Sequence, residues 1–233
     1  MSKLRGQIVH KAVRRTAILV DGGFYRRRAQ YHWGDKTGEE RANELFEYCM
    51  RLLHDKHEQR ELYRIFYYDC PPMDKKLYHP LLKKQVDFGR TELFTWTRQF
   101  FSALKAKRKV ALRFGMLADA QAHYTIRQDV IKKLCNRSVD FADLTEDDFV
   151  LKVEQKGVDM KIGIDIASLA YKKLVDQIIL VSGDSDFVPA AKLARREGID
   201  FILAPMEATI KDELYEHVDG ILHRTGRRNE IHI

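Results

Sequence analysis

The chain has 233 residues, 45% of them hydrophobic, and a formal net charge of +7. That size and apolar content suit one domain with insertions or a small appendage, and the positive balance favours an acidic partner, nucleic acid first. Cys49, Cys70 and Cys135 are an odd set without CxxC spacing, which argues against a disulfide framework or zinc site and for reduced thiols in the cytoplasm. No apolar run approaches the ~20 residues of a membrane span, and residues 1–15 are basic without the apolar segment of a signal peptide.

In chain order, Thr16-Ala17-Ile18-Leu19-Val20 reads as a buried strand ending in Asp21-Gly22-Gly23-Phe24. An acid at a strand end before two glycines suggests a functional rim where backbone approaches a ligand; the same residues also fit an Asp-Gly turn closing a hairpin. From Tyr25 to Trp33, Arg26, Arg27 and Arg28 lie among aromatics. This suits phosphate contacts with base stacking, and equally a solvated helix face whose aromatics pack inward. Residues 40–58 form an amphipathic helix, with Ala42, Leu45, Phe46, Cys49, Leu52 and Leu53 on its core face.

Leu62–Asp69 is the next strand, stopped by Pro71-Pro72. Residues 73–106 read as largely helical, Val110–Leu117 as a strand, and 119–148 as a helical piece near Thr125–Leu134 followed by an acidic loop (Asp143, Glu146, Asp147, Asp148) without assigned chemistry. Phe149–Val153 is a short strand. Beyond Gln155-Lys156-Gly157 a helix begins at Val158, with Val158, Ile162, Ile166, Leu169 and Ala170 in one stripe. At ~100° per residue Asp159 falls on that inward side and Asp165 nearer the polar side. An inward carboxylate in a first helical turn is either a cap or a ligand.

Ile178-Ile179-Leu180-Val181 is a second buried strand, followed by Ser182-Gly183-Asp184-Ser185-Asp186-Phe187 and a helix over Val188–Glu197 with Pro189 in its first turn and Gly198 past its end. Asp184 and Asp186 thus sit between a strand's carboxyl end and a helix amino end, where ligands bind in open α/β sheets. Two such charges ~4 Å apart at an effective dielectric of ~20 repel by about 4 kcal/mol, which a divalent cation would offset. A last strand, Ile199–Leu203, and a helix near Ile210–His217 precede a basic tail with Arg224, Arg227 and Arg228. Strands alternating with helices imply a mostly parallel sheet wrapped on both faces, in one domain over 16–222, with an insertion within 70–150, between a basic arm (1–15) and a basic tail (223–233).

Val20-Asp21-Gly22, Lys156-Gly157-Val158-Asp159 and Ser182-Gly183-Asp184-Ser185-Asp186-Phe187-Val188-Pro189 together resemble the NYN family of PIN-like nucleases, in the branch with LabA-type and DUF88 proteins. Order, spacing and the later Gly198 fit over roughly residues 16–222. Where many members place an Asn shortly after the first acid, this chain has Gly22-Gly23-Phe24.

The resemblance implies a three-layer PIN-like α/β/α fold with a central, mostly parallel sheet of about five strands. It also implies an acidic pocket holding one or two Mg²⁺ or Mn²⁺ ions, and cleavage of RNA, most simply single-stranded. Asp21 and Asp184 are then the principal ligands, Asp159 completes the pocket, and Asp186 holds a second metal or positions the water. Ser182, Lys156, Asp165, Arg26 and Arg27 are supporting or substrate contacts. The chemistry agrees, because both ions prefer oxygen ligands. A dehalogenase-type phosphatase would want Asp-x-Asp after the first strand, where Gly23 stands. A receiver-like phosphoacceptor would want a late-strand Lys, where Ala204-Pro205 stands. The stronger rival is a non-catalytic RNA-binding adaptor; a membrane partner is not expected, and self-association as a homo-oligomer stays open.

Overall fold

Strand β1 (Val13–Asp21) carries Thr16 to Val20 fully buried, because both faces of the sheet are covered and neither side chain direction reaches water. The computed structural model describes residues 13–56 and 58–226; residues 1–12 of the basic arm and Arg227 and Arg228 of the tail lie outside them. With β2 (Gln59–Asp69), β3 (Val110–Phe114), β4 (Gln177–Val181), β5 (Asp200–Leu203) and β6 (Gly220–Ile221), β1 builds a six-stranded parallel sheet. The sheet thus exceeds the expected five strands by the two-residue β6, too short to signal itself.

The strand order is β6-β5-β4-β1-β2-β3. Winding goes outward from β1 in one direction and from β4 in the other, so the chain reverses between these two central neighbours. Connections on either side of that point leave to opposite faces, which opens a crevice at the carboxyl ends of β1 and β4.

Helices α1 (Gly22–Trp33), α2 (Gly38–Leu52) and α3 (Glu92–Lys105) cover one face, meeting Ile18, Val20, Ile65, Tyr67, Ile179 and Val181. Helix α2 starts in a capping box between Thr37 and Glu40 and buries Ala42, Leu45, Cys49 and Leu52, as its periodicity predicts. Each leucine contributes ~1.5–3 kcal/mol when fully buried, and Ala42 much less. The other face takes Ile162, Ile166, Leu169, Ala191, Ala194 and Leu214 from three later helices.

Residues 73–106 are not largely helical. Lys76–His79 and Lys84–Asp87 pair as an antiparallel hairpin, and helix resumes only at Glu92. The spacing of Leu77, Leu81 and Leu82 mimics a helical face, but Pro80 breaks it and the turn closes at Lys83 with φ +50°. The deciding contact is distant in sequence: His79, 1% exposed, packs on Tyr124 and Phe149 at ring separations of 4.3 and 5.3 Å. The strand expected over Val110–Leu117 likewise splits at Gly115, with Met116–Leu117 turning away to pair with Gln155–Lys156. The segment before α4 (Gln128–Cys135) is strand, not helix: His123–Ile126 pairs with Phe149–Lys152. These pieces form an excursion between β2 and α5 (Val158–Tyr171) that stands over the β2–β3 side of the sheet's carboxyl edge. Helices α6 (Val188–Arg196) and α7 (Asp212–Tyr215) complete the domain.

Candidate active site

The carboxyl ends of β1 and β4 place the first two acidic segments side by side. Asp21 is the N-cap of α1, its Oδ1 accepting the Phe24 N–H at 3.0 Å. The helix starts immediately because Gly22 has no side chain: a Cβ there would lie 2.5 Å from both Tyr67 Oη and the Tyr68 carbonyl oxygen. Gly22 therefore serves the packing of α1 on β2, and no hairpin turn forms.

Across the crevice, buried Ser182 joins the two loops. Its Oγ donates to Asp21 Oδ2 at 3.4 Å and accepts the Asp184 N–H at 3.3 Å. Asp184 Oδ1 in turn accepts the Asp186 N–H at 3.1 Å. Both carboxylates stay exposed ahead of α6.

The third segment arrives with α5. Gly157 precedes it in the left-handed region, φ +78°, a conformation that glycine adopts without a Cβ penalty. Asp159 then lies in the first turn, exposed rather than on the inward side its spacing suggests because the helix start sits at the open sheet edge, with its pKa pushed up, first by partial desolvation and then by the charges of Asp21, Asp184 and Asp186. Asp21 is likewise raised, mainly by burial, against the pull of the Phe24 N–H, Arg27 and Ser182. Four carboxylates from three segments therefore share one electrostatic neighbourhood, and each resists the ionisation of Asp159.

Hard oxygen donors in mutual repulsion suit Mg²⁺ or Mn²⁺. Among the described residues no three His, Cys, Asp or Glu side chains are disposed to ligate one ion together as they stand. The donor set fits an ion held through one or two carboxylates that keeps several of its waters, which is how Mg²⁺ is usually bound.

The other expected residues separate. The arginine triplet splits three ways: Arg26, partly exposed, pairs with buried Asp69 (Nη1–Oδ2 2.6 Å, Nη2–Oδ1 3.2 Å), Arg28 binds the Met206 carbonyl and covers Tyr31, and exposed Arg27 acts on Asp21. Lys156 lies 3.9 Å from Glu154 Oε2. Asp165 is engaged away from the acids, accepting from Tyr68 Oη at 2.8 Å and Arg113 Nε at 3.1 Å.

Asp69 is the residue that sequence reasoning missed. It ends β2 beside Asp21, is 1% exposed, and accepts from Arg26, Tyr67 Oη (2.9 Å) and the Cys70 N–H (2.8 Å). Burial nevertheless raises its pKa, and its charge adds to the upward pressure on Asp21. The signal was available, since Leu62–Asp69 repeats the strand-then-Asp pattern of Thr16–Asp21.

The family described as NYN domain matches residues 15–223. The chain belongs to the NYN domain family. NYN domains have a PIN-like nuclease fold; members are generally nucleases that act on RNA and typically depend on a divalent metal. A crystal structure of a protein of unknown function from Vibrio parahaemolyticus is similar over 93% of this NYN chain and 95% of that one, with 18% identity and a TM-score of 0.46. No curated protein matches the chain. Among its described residues no helix is long and apolar enough to cross a membrane.

Proposed function

We propose that this NYN domain is a metal-dependent ribonuclease that hydrolyses internal phosphodiester bonds of single-stranded RNA with Mg²⁺ or Mn²⁺. The observation that carries this reading is the convergence of Asp21, Asp159, Asp184 and Asp186 at the reversal of strand order, expressed in the raised pKa of Asp159. Asp21 and Asp184 would hold the metal, with Asp159 closing the pocket. The ion's contribution when bound is to lower the pKa of water and neutralise charge on the phosphate.

The chain's own residues do the rest. Ser182 fixes the relative position of Asp21 and Asp184 through its two hydrogen bonds. Asp186, exposed on the same turn, orients the attacking water. Arg27 offers the positive charge nearest Asp21 to an incoming phosphate. Free Cys49, Cys70 and Cys135 suit work in the reducing cytoplasm.

The test is incubation of purified protein with labelled single-stranded RNA and Mg²⁺ or Mn²⁺, with EDTA as control. The ribonuclease reading expects EDTA-sensitive cleavage that falls at least ~100-fold in Asp184→Asn, the scale of losing one electrostatic contributor. The second reading is a non-catalytic RNA-binding adaptor, which the net charge of +7 supports without a metal. It expects metal-independent binding without cleavage, unaltered by the same substitution.

A further inference from the structure

Between α3 and the β2–α5 excursion lies a cavity of about 290 Å³ with no part in the chemistry above. Its walls are mainly Pro71, Pro72 and Met73 after β2, Phe94 and Trp96 on α3, and Leu151 from the excursion. Arg26 and Asp69 form its end nearest the acids. A second cleft of about 410 Å³ adjoins it through Arg26, Leu93 and Trp96, and brings Arg27 and Lys36.

Three features select the occupant. The Trp96 ring is held rigid, stacked on Phe100 at 5.2 Å with an interplanar angle of 13° and donating Nε1–H to the Lys36 carbonyl at 2.8 Å. Phe94 and Phe88 add two further rings to the wall. Flat apolar walls with the Arg26 guanidinium at one end suit the faces of unpaired bases. Position supplies the third feature. Asp69 ends β2, the neighbour of β1, and adjacent strands lie ~4.8 Å apart. The end of the cavity at Asp69 therefore lies one or two strand spacings, ~5–10 Å, from Asp21, about the length of one nucleotide.

We propose that this cavity receives one unpaired base of a single-stranded RNA, next to the nucleotide whose phosphate enters the acidic crevice. The proposal rests on the ribonucleolytic reading for its choice of ligand. The excursion is then the specificity element: Gln155, exposed at the mouth, presents an amide to the base edge, and Leu93, 72% exposed on the opposite wall, gives an apolar contact.

The experiment is fluorescence anisotropy of a labelled RNA octamer with the full chain in EDTA, so that binding is read without cleavage. Two variants at exposed positions spare the core: Leu93→Glu sets a charge at the mouth, and Gln155→Trp obstructs it. Each is expected to weaken binding about 10-fold, on the scale of one lost base-stacking contact, while melting as the parent does. An abasic residue walked along the octamer should weaken parent binding at one position and have no such effect in the variants. Parental affinity in both variants, or indifference to the abasic residue everywhere, overturns the proposal. Base-dependent binding without cleavage in Mg²⁺ or Mn²⁺ would keep the cavity's role and remove the ribonuclease reading; cleavage indifferent to both variants and to the abasic residue would do the reverse.

Discussion

Replacing Arg26 by Ala leaves the Asp69 carboxylate buried at 1% exposure without its ion-pair partner. Breaking a buried pair from one side costs about 3–5 kcal/mol. Asp69 keeps the Tyr67 Oη and Cys70 N–H donors, which places the expected loss near the lower end, about 3 kcal/mol. For a chain of this size that lowers the melting temperature by roughly 6–12 °C. The loss must also depend on pH. Burial already raises the Asp69 pKa against the pull of Arg26, so removing the arginine raises it further. A carboxyl with a raised folded-state pKa binds more protons folded than unfolded, so stability falls as pH rises from the unfolded value, ~3.9, through the folded one. The deficit of Arg26→Ala should therefore be largest near pH 7 and shrink toward pH 4. Urea denaturation across that range measures it, and the double variant Arg26→Ala/Asp69→Asn, uncharged but still able to accept from Tyr67 and Cys70, should recover most of the loss. A deficit below ~1 kcal/mol at pH 7, or one constant with pH, would refute the reasoning.

Asp159→Asn removes a charge that burial, Asp21, Asp184 and Asp186 all disfavour; in EDTA it should stabilise the protein by about 0.2–1 kcal/mol, the scale of a solvent-screened charge interaction, and its gain should fade toward pH 4 in thermal melts. Gly22→Ala drives a Cβ into Tyr67 and the Tyr68 carbonyl and should cost about 1–3 kcal/mol of overpacking in chemical denaturation, with reduced RNA cleavage as Asp21 is displaced. Asp165→Asn weakens the contact with Tyr68 and Arg113 and should cost about 1 kcal/mol while leaving cleavage within twofold, in contrast to Asp184→Asn.

The central strands and two of the three acidic segments were legible because their signals are local. Thr16–Val20 and Ile178–Val181 are continuous buried runs rich in β-branched residues that suit a doubly covered sheet, and each is followed by an acid ahead of a helix start. Periodicity also placed Asp159 in the first turn of its helix. It did not place Asp165, whose Tyr68 and Arg113 partners come from distant strands. Adjacency in sequence equally concealed the division of Arg26, Arg27 and Arg28, since successive helical residues point ~100° apart and meet different neighbours. The excursion was misread for the same physical reason: its strands pair across long separations, and His79 is fixed by Tyr124 and Phe149 far along the chain.

The proposed hydrolysis depends on a cation shared by acids from separate segments. A crystal soaked in Mn²⁺ and measured at the manganese edge tests this most directly. The expected result is an anomalous peak in the crevice, bound by Asp21 and Asp184, with Asp159 and water oxygens around it, and absent from crystals of Asp184→Asn. A crevice without a peak at millimolar Mn²⁺, or a peak bound only by other residues, would contradict it.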